Sequence, residues 1–315
     1  MRSVAWLLVV FSLGVQAQEP AWPTKPIRWL VPFAPGGPAD VVTRIVAAAL
    51  SERTGQPNVV ENQPGAGGNI AHAAASKSAP DGHTVVFVVP SVITNPFYMK
   101  ASVDPFRDLA PVIHLDNASM VLIANPAFAP ATLAEVLSEI KTHPGRVTCG
   151  ASGALPSVGC ELLRAHAGAD VLMVMYKGNA PALNALMAGE INLLFDVVNI
   201  AIGHVKSGRV RAIASTAPRR GVGALGDIPV MAETIPGFEL VTWHGVMMSP
   251  ATPRPLLERV NRELNAVLQR ADVRERFANS GLQITGGPPE DFASILRRDY
   301  EKYGAALRSA GVKPE

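Results

Sequence analysis

A chain of 315 residues, 48 % hydrophobic and only 17 % charged, can bury a core large enough for two ordinary domains, which excludes an intrinsically disordered protein. A net charge of +2 and 6 % aromatic residues leave neither a basic face nor a base-stacking platform, so nucleic acid is excluded as a partner.

Arg2 followed by the apolar run Val4 to Val15 and the small-x-small triplet ending at Ala17 reads as a cleaved secretory signal peptide over residues 1–17. No later stretch approaches the ~18 consecutive apolar residues of a membrane span. The first cysteine is Cys149, so a lipid anchor on a cysteine at the mature N-terminus is not expected. Export to an oxidising compartment permits a disulfide between Cys149, at the end of an expected strand, and Cys160, in the next helix; sequence leaves the pairing open.

Ile27 to Val31 forms a β-prone run that Pro32 and Pro35 end. Gly36 and Gly37 then allow a tight turn, Pro38 suits a first helical position, and Asp40 suits the first turn. Val42, Ile45, Val46 and Ala49 recur at helical spacing. Such a strand–turn–helix junction aims free backbone N–H groups outward beside the positive end of a helix, which is a site for an anion.

A short strand centred on Val59 and Val60 leads into a second glycine cluster, Gly65 to Asn69, and an alanine-rich helix to about Ser78. Pro80 to Gly82 marks a turn, Thr84 to Val89 a buried strand, and Pro90-Ser91 opens a short helix near Asn95. Strand–helix–strand order implies parallel strands, with ligands gathering beyond their carboxyl ends. Three turns would meet there: Phe33 to Pro38, Gly65 to Asn69, and Pro90-Ser91.

Phe106 to Leu115 reads as irregular and Met120 to Ala124 as a new strand. Thr132 and Glu135 form a capping box for a helix stopped by Pro144-Gly145. Strands are then expected over Val147 to Gly150, Val171 to Met175, Ile191 to Phe195 and Val210 to Ala214. Between them lie a loop Ala151 to Ser157, a helix Val158 to His166, a helix Ala182 to Met187, and a helix reaching Ser207. Phe238 to Met248 is extended, and three amphipathic helices close the chain with too few strands to form a sheet of their own.

The succession Trp22-Pro23 with Lys25 to Arg28, then Val31 to Gly37 with Asp40, Val60 to Ile70, Pro80 to Gly82, Tyr176 to Gly178 with Pro181, Gly189, and Phe195-Asp196 resembles the extracytoplasmic solute receptors of the tripartite tricarboxylate transporter family, also called Bug receptors. The resemblance runs from about Trp22 to the last helix. It implies a two-domain, type II-like periplasmic binding protein, α/β, each domain a mainly parallel sheet flanked by helices. Domain 1 would be residues 22–121 with 242–315 and domain 2 residues 122–241, with hinge crossings near Leu122 and Trp243. It implies a monomer without cofactor or metal that captures a small carboxylated solute and hands it to integral-membrane permease subunits; sequence does not separate this from handing the closed form to a membrane signalling partner.

The same resemblance nominates Phe33, Gly36, Gly37, Asp40, Gly67, Gly68 and Asn69 on domain 1, and Ser152, Tyr176, Lys177, Gly178 and Asp196 on domain 2; Ser91 joins them as the third turn at the sheet edge. The solute carboxylate is expected on the backbone of Gly36 and Gly37, because Asp40 would repel it. The loop Ser152 to Cys160 departs from the family pattern, with Ala154 where serine is common and Pro156 or Ser157 where histidine is. Asp40 suits a ligand role or helix-dipole compensation, Asp196 a cleft or cap role, and Lys177 a ligand role or the solvated surface. Trp243 suits a cleft wall or, more simply, the core. As an enzymatic alternative, Gly150-Ala-Ser152 looks like an incomplete nucleophile elbow with Asp196 and His204 or His244 in hydrolase order.

Overall fold

A computed structural model describes residues 22–99, 103–152, 154–176, 178–217, 219–221, 226–238 and 240–309. The expected signal peptide and Lys177 lie outside the described residues.

The first part of the chain reads β1 (Ile27–Val31), α1 (Pro38–Thr54), β2 (Asn58–Asn62), a 3-10 turn (Ala66–Gly68), α2 (Asn69–Ser76), β3 (Thr84–Val88) and α3 (Ser91–Tyr98). β4 (Ala110–Ala124) follows, then α4 (Leu133–Thr142), β5 (Thr148–Ala151), α5 (Ala154–Ala167), β6 (Leu172–Met175), α6 (Asn179–Ala188), β7 (Leu193–Val197), α7 (Val198–Lys206) and β8 (Arg211–Ser215). The last part comprises β9 (Val241–Met248), α8 (Arg254–Leu268), α9 (Ala271–Asn279), β10 (Leu282–Ile284) and α10 (Pro289–Ser309). None of the described helices is long and apolar enough to cross a membrane.

The strands form one sheet in the order β2-β1-β3-β9-β4-β7-β5-β6, with β8 and β10 also paired to β4. The outer strands are parallel, as the βα repeats require: β1 with β2 and β3, and β5 with β6 and β7. The central strands are not. β9 runs antiparallel to β3 and to β4, and β4 antiparallel to β7 and β8, so the sheet is mixed rather than mainly parallel at its middle.

β4 is the main departure from the expected elements. It is one strand of 15 residues, not an irregular segment followed by a short strand. Ala110 to Ser119 pair with β9, and Met120 to Ala124 pair with β7. Pro111 does not break it because the register shifts between Pro111 and Ile113, and an irregularity is where a sheet accommodates proline. The chain changes partners between Ser119 and Met120 and returns at the start of β9, Val241, slightly to one side of both expected crossings. Two helices start earlier than their prolines suggested. Pro156 and Pro181 sit in the first turns of α5 and α6, where a missing N–H leaves no intrahelical bond unmade. β10 has only three residues and carries no periodic signal.

Alternation along β1 sends Trp29 and Val31 to one face and Leu30 to the other. The first face packs on α1, α8 and α9 through Val46, Leu50, Leu257, Val260, Leu264 and Phe277. The second packs on α2, α3 and α10 through Ala71, Ile93, Phe292, Leu296 and Tyr303. Each such buried side chain contributes about 1.5–3 kcal/mol. The C-terminal helices thus complete the half of the sheet that β1 to β3 begin. Trp243 belongs to this core: it is 1 % exposed and its Nε1 donates to Asp299 at 2.9 Å.

Candidate functional site

Between the two halves of the sheet lies a cavity of about 650 Å³. The turn from β1 to α1 supplies one wall with Phe33, Gly36, Gly37, Pro38 and Ala39. Opposite stand Ser152, Leu155 and Pro156 at the start of α5, Asn179 at the start of α6, and Val197 and Ile200 at the start of α7. Val89, Met120, Thr242 and His244 complete the lining. Four helix N-termini therefore border one cavity, and their partial positive charges favour an anion in it.

The β1–α1 turn is built on Asp40. Gly36 takes φ +81°, which L side chains rarely adopt, and Gly37 is extended before Pro38 opens the helix. The buried Asp40 carboxylate accepts the Gly36 N–H at 3.0 Å, Arg44 Nε at 2.9 Å and Asn62 Nδ2 at 3.0 Å. Asn62 Nδ2 also donates to Phe33 O at 3.0 Å, tying the turn to the end of β2. The Arg44 guanidinium, with the Gly36 and Asn62 donors, holds the Asp40 carboxyl down to about 2. The Gly36 N–H is thus occupied by Asp40, which corrects the expectation that it meets the solute. Asp40 itself faces the turn and does not line the cavity. The N–H groups of Gly37, Ala39 and Asp40 have no acceptor among the described residues. They are the donors left at the positive end of α1.

On the other wall, Ser152 Oγ donates to Asn179 Oδ1 at 2.7 Å, and Asn179 Nδ2 donates to Asp196 Oδ1. Asp196 Oδ1 also accepts the Val197 N–H at 2.7 Å, while Oδ2 is buried without a partner among the described residues. Asp196 is fully buried, and that burial pushes its carboxyl up to about 7 despite the two donors. The hydrolase alternative fails on this geometry. Ser152 Oγ donates to Asn179 and not to a histidine, Asp196 is bonded to Asn179 and the Val197 N–H and not to His204 or His244, and His204 lies in the last turn of α7.

Other expected residues gather elsewhere. Asn95 Nδ2 donates to Gly67 O at 3.0 Å and to Asn69 Oδ1 at 3.1 Å, closing the second glycine turn on itself. Gly68 is packed against Pro32 and His72, and the Ser91 Oγ is buried without a partner among the described residues. Gly178 caps α6 at φ +111°, and Tyr176 packs against the hydrophobic cluster that includes Leu183 and Leu186, with its N–H on Ala151 O at 2.8 Å. Gly67, Gly68, Asn69, Ser91, Tyr176, Gly178 and Asp196 are not among the residues lining the cleft cavity.

Three polar side chains in the lining were not expected as ligand contacts: Asn179, Thr242 and His244. A signal for the last two existed. Strand alternation places the neighbours of core-facing Trp243 on the opposite face. The disulfide left open by sequence is formed: Cys149 of β5 is bonded to Cys160 of α5, with Cα atoms 5.9 Å apart. It ties the middle of α5 to β5.

Comparison with known proteins places this geometry. BugT of Bordetella pertussis is 31 % identical over 317 residues, covering 97 % of this chain and 96 % of that one. The structure of Rpa4515 from R. palustris with adipate superposes with a TM-score of 0.83 at 28 % identity, covering 94 % of this chain and all of the other. MatC from Rhodopseudomonas palustris with bound malate superposes with a TM-score of 0.77 at 28 % identity, covering 91 % of this chain and all of the other. The model of the tripartite tricarboxylate transporter family receptor matches residues 42–312, nearly the whole of the described chain, and the protein that carries this cleft belongs to that family of periplasmic solute receptors.

Proposed function

We propose that the protein captures a small carboxylate-bearing solute between two lobes and presents it to a membrane permease. The observation that carries this reading is the set of unpaired N–H groups of Gly37, Ala39 and Asp40 at the start of α1, where Gly37, Pro38 and Ala39 line a cavity with largely apolar walls. A carboxylate seated there replaces its water with three backbone donors and the helix dipole. Adipate in Rpa4515 and malate in MatC are carboxylates, which supports the same chemistry here.

The lobes are residues 22–119 with 241–309, and 120–240, joined where β4 changes partners and where β9 begins. Closure brings Gly36 and Pro38 towards Val197 and Ile200, which together line the cleft. Residues 1–17 direct export and are removed, and the mature chain acts without turning over its solute. Thermal unfolding against mono-, di- and tricarboxylates tests the reading. A ligand at a hundredfold excess over its Kd stabilises by about 2.7 kcal/mol. A panel in which neutral solutes raise the Tm and no carboxylate does would overturn it.

A further inference from the structure

We propose that His244, oriented by Asp116, receives the far end of the solute and selects for a second carboxylate there. This rests on the receptor reading above and adds to it the group that discriminates between solutes.

Asp116 and His244 are register partners on the antiparallel pair β4 and β9. His244 Nδ1 lies 2.9 Å from Asp116 Oδ1 and 3.1 Å from Oδ2. The ring rests against Phe87, with centroids 5.1 Å apart, so its orientation is fixed from two sides. Asp116 is wholly buried, and among the described residues its carboxylate is hydrogen-bonded only to His244. A lone buried carboxylate is costly, and its retention between two strands points to a role in holding the ring. The Nε2 of His244 has no partner among the described residues, and the side chain lines both the main cavity and an adjoining one of about 390 Å³.

The rest of the lining explains why this nitrogen matters. Among the described residues no arginine, lysine or acid lines the main cavity; His244 is the one lining group there that can carry charge. One carboxylate at the start of α1 leaves the body of the solute against Phe33, Leu155, Val197 and Ile200, and the remaining polar positions are Ser152, Asn179, Thr242 and His244. With Nδ1 donating to Asp116, Nε2 bears a proton only in the imidazolium form. A solute carboxylate beside it supplies the second negative charge that this form balances, which an apolar solute end does not.

The other ionisable groups around the pair are committed elsewhere. On β4, His114 Nε2 meets Asp116 O at 3.0 Å and its ring stacks on Phe292. On α10, Asp299 accepts from Trp243 Nε1 and Arg298 Nε. On α1, Asp40 is held by Arg44, and on β7, Asp196 is bonded to Asn179.

The test is calorimetric titration of the mature protein with monocarboxylates and α,ω-dicarboxylates matched in carbon number, hexanoate against adipate among them. The wild type binds the diacid more tightly than the monoacid. In His244→Gln, which keeps a donor towards Asp116, and in His244→Ala, the diacid-to-monoacid affinity ratio falls about tenfold, the loss expected for one charge-assisted hydrogen bond. An unchanged ratio in both variants while acids still bind overturns the role of His244 and leaves the receptor reading intact. Failure of every acid to bind the wild type overturns both.

Discussion

The Asp40 carboxylate accepts the N–H of Gly36 at 3.0 Å across the turn between β1 and α1. The Gly36 N–H is therefore committed to the turn, and on the proposed function a solute carboxylate is left the N–H groups of Gly37, Ala39 and Asp40. Asp40 also joins this turn to α1 through Arg44 and to β2 through Asn62, so the donors are fixed before any ligand arrives.

Replacing Asp40 with asparagine loosens that arrangement. Its carboxyl titrates near 2 in the folded protein against 3.8 unfolded, so its contribution is complete above about pH 4 and is lost as the pH falls towards 2. With Arg44 half in solvent, Asp40→Asn is expected to cost about 1 kcal/mol at pH 7. Urea unfolding of the two proteins at several pH values should show curves that converge near pH 2.

Gly37 and Gly68 separate binding from folding. A Cβ on Gly37 meets only Ala34 O at 3.5 Å, with φ at an ordinary −76°. Gly37→Val should keep the apo Tm within ~2 °C while its branches enter the cavity and lower carboxylate affinity about a hundredfold or more. Gly68 has φ +101°, and a Cβ added there would lie 3.0 Å from Pro32 Cβ and 3.1 Å from His72 Cε1. Gly68→Ala should destabilise the fold by about 1–3 kcal/mol. Equal Tm losses in the two variants would contradict this division.

Asp196 gives stability a pH dependence of the opposite sign. Its carboxyl titrates near 7 when folded and near 3.8 when unfolded. The folded state holds a proton that the unfolded state has released, so stability falls as the pH rises between about 4 and 7. Asp196→Asn keeps the acceptor used by Val197 and Asn179 and removes the buried charge. It should match the wild type near pH 4 and exceed it by about 3 kcal/mol at pH 8. Melting curves across that range would expose a missing slope.

The Cys149–Cys160 bond closes a segment with a sequence separation of 11. Constraint of the unfolded chain by a loop of that size is worth about 3 kcal/mol. The double serine variant should unfold at correspondingly lower urea. Because the bond fixes α5, whose Leu155 and Pro156 line the cavity, the variant should also bind solute more weakly than its stability loss alone explains, as measured by titration well below its Tm.

Much of this protein was legible residue by residue. Helical spacing located α1, α4 and α8, the β-branched run Thr84 to Val88 located β3, and the first glycine turn marked the β1–α1 junction that lines the cavity. Such features depend on neighbours within a few positions, where periods of 2 and 3.6 and the φ freedom of glycine act. The tertiary structure decided what depends on register between distant strands. It made β4 a single strand shared by both halves, and it set Asp116 against His244 across 128 positions. It also gave the Gly36 N–H to Asp40 and brought Asn179 between Ser152 and Asp196. Local sequence limits which side chains can face a cleft. Which of them meet there is fixed only when the sheet aligns strands far apart in the chain.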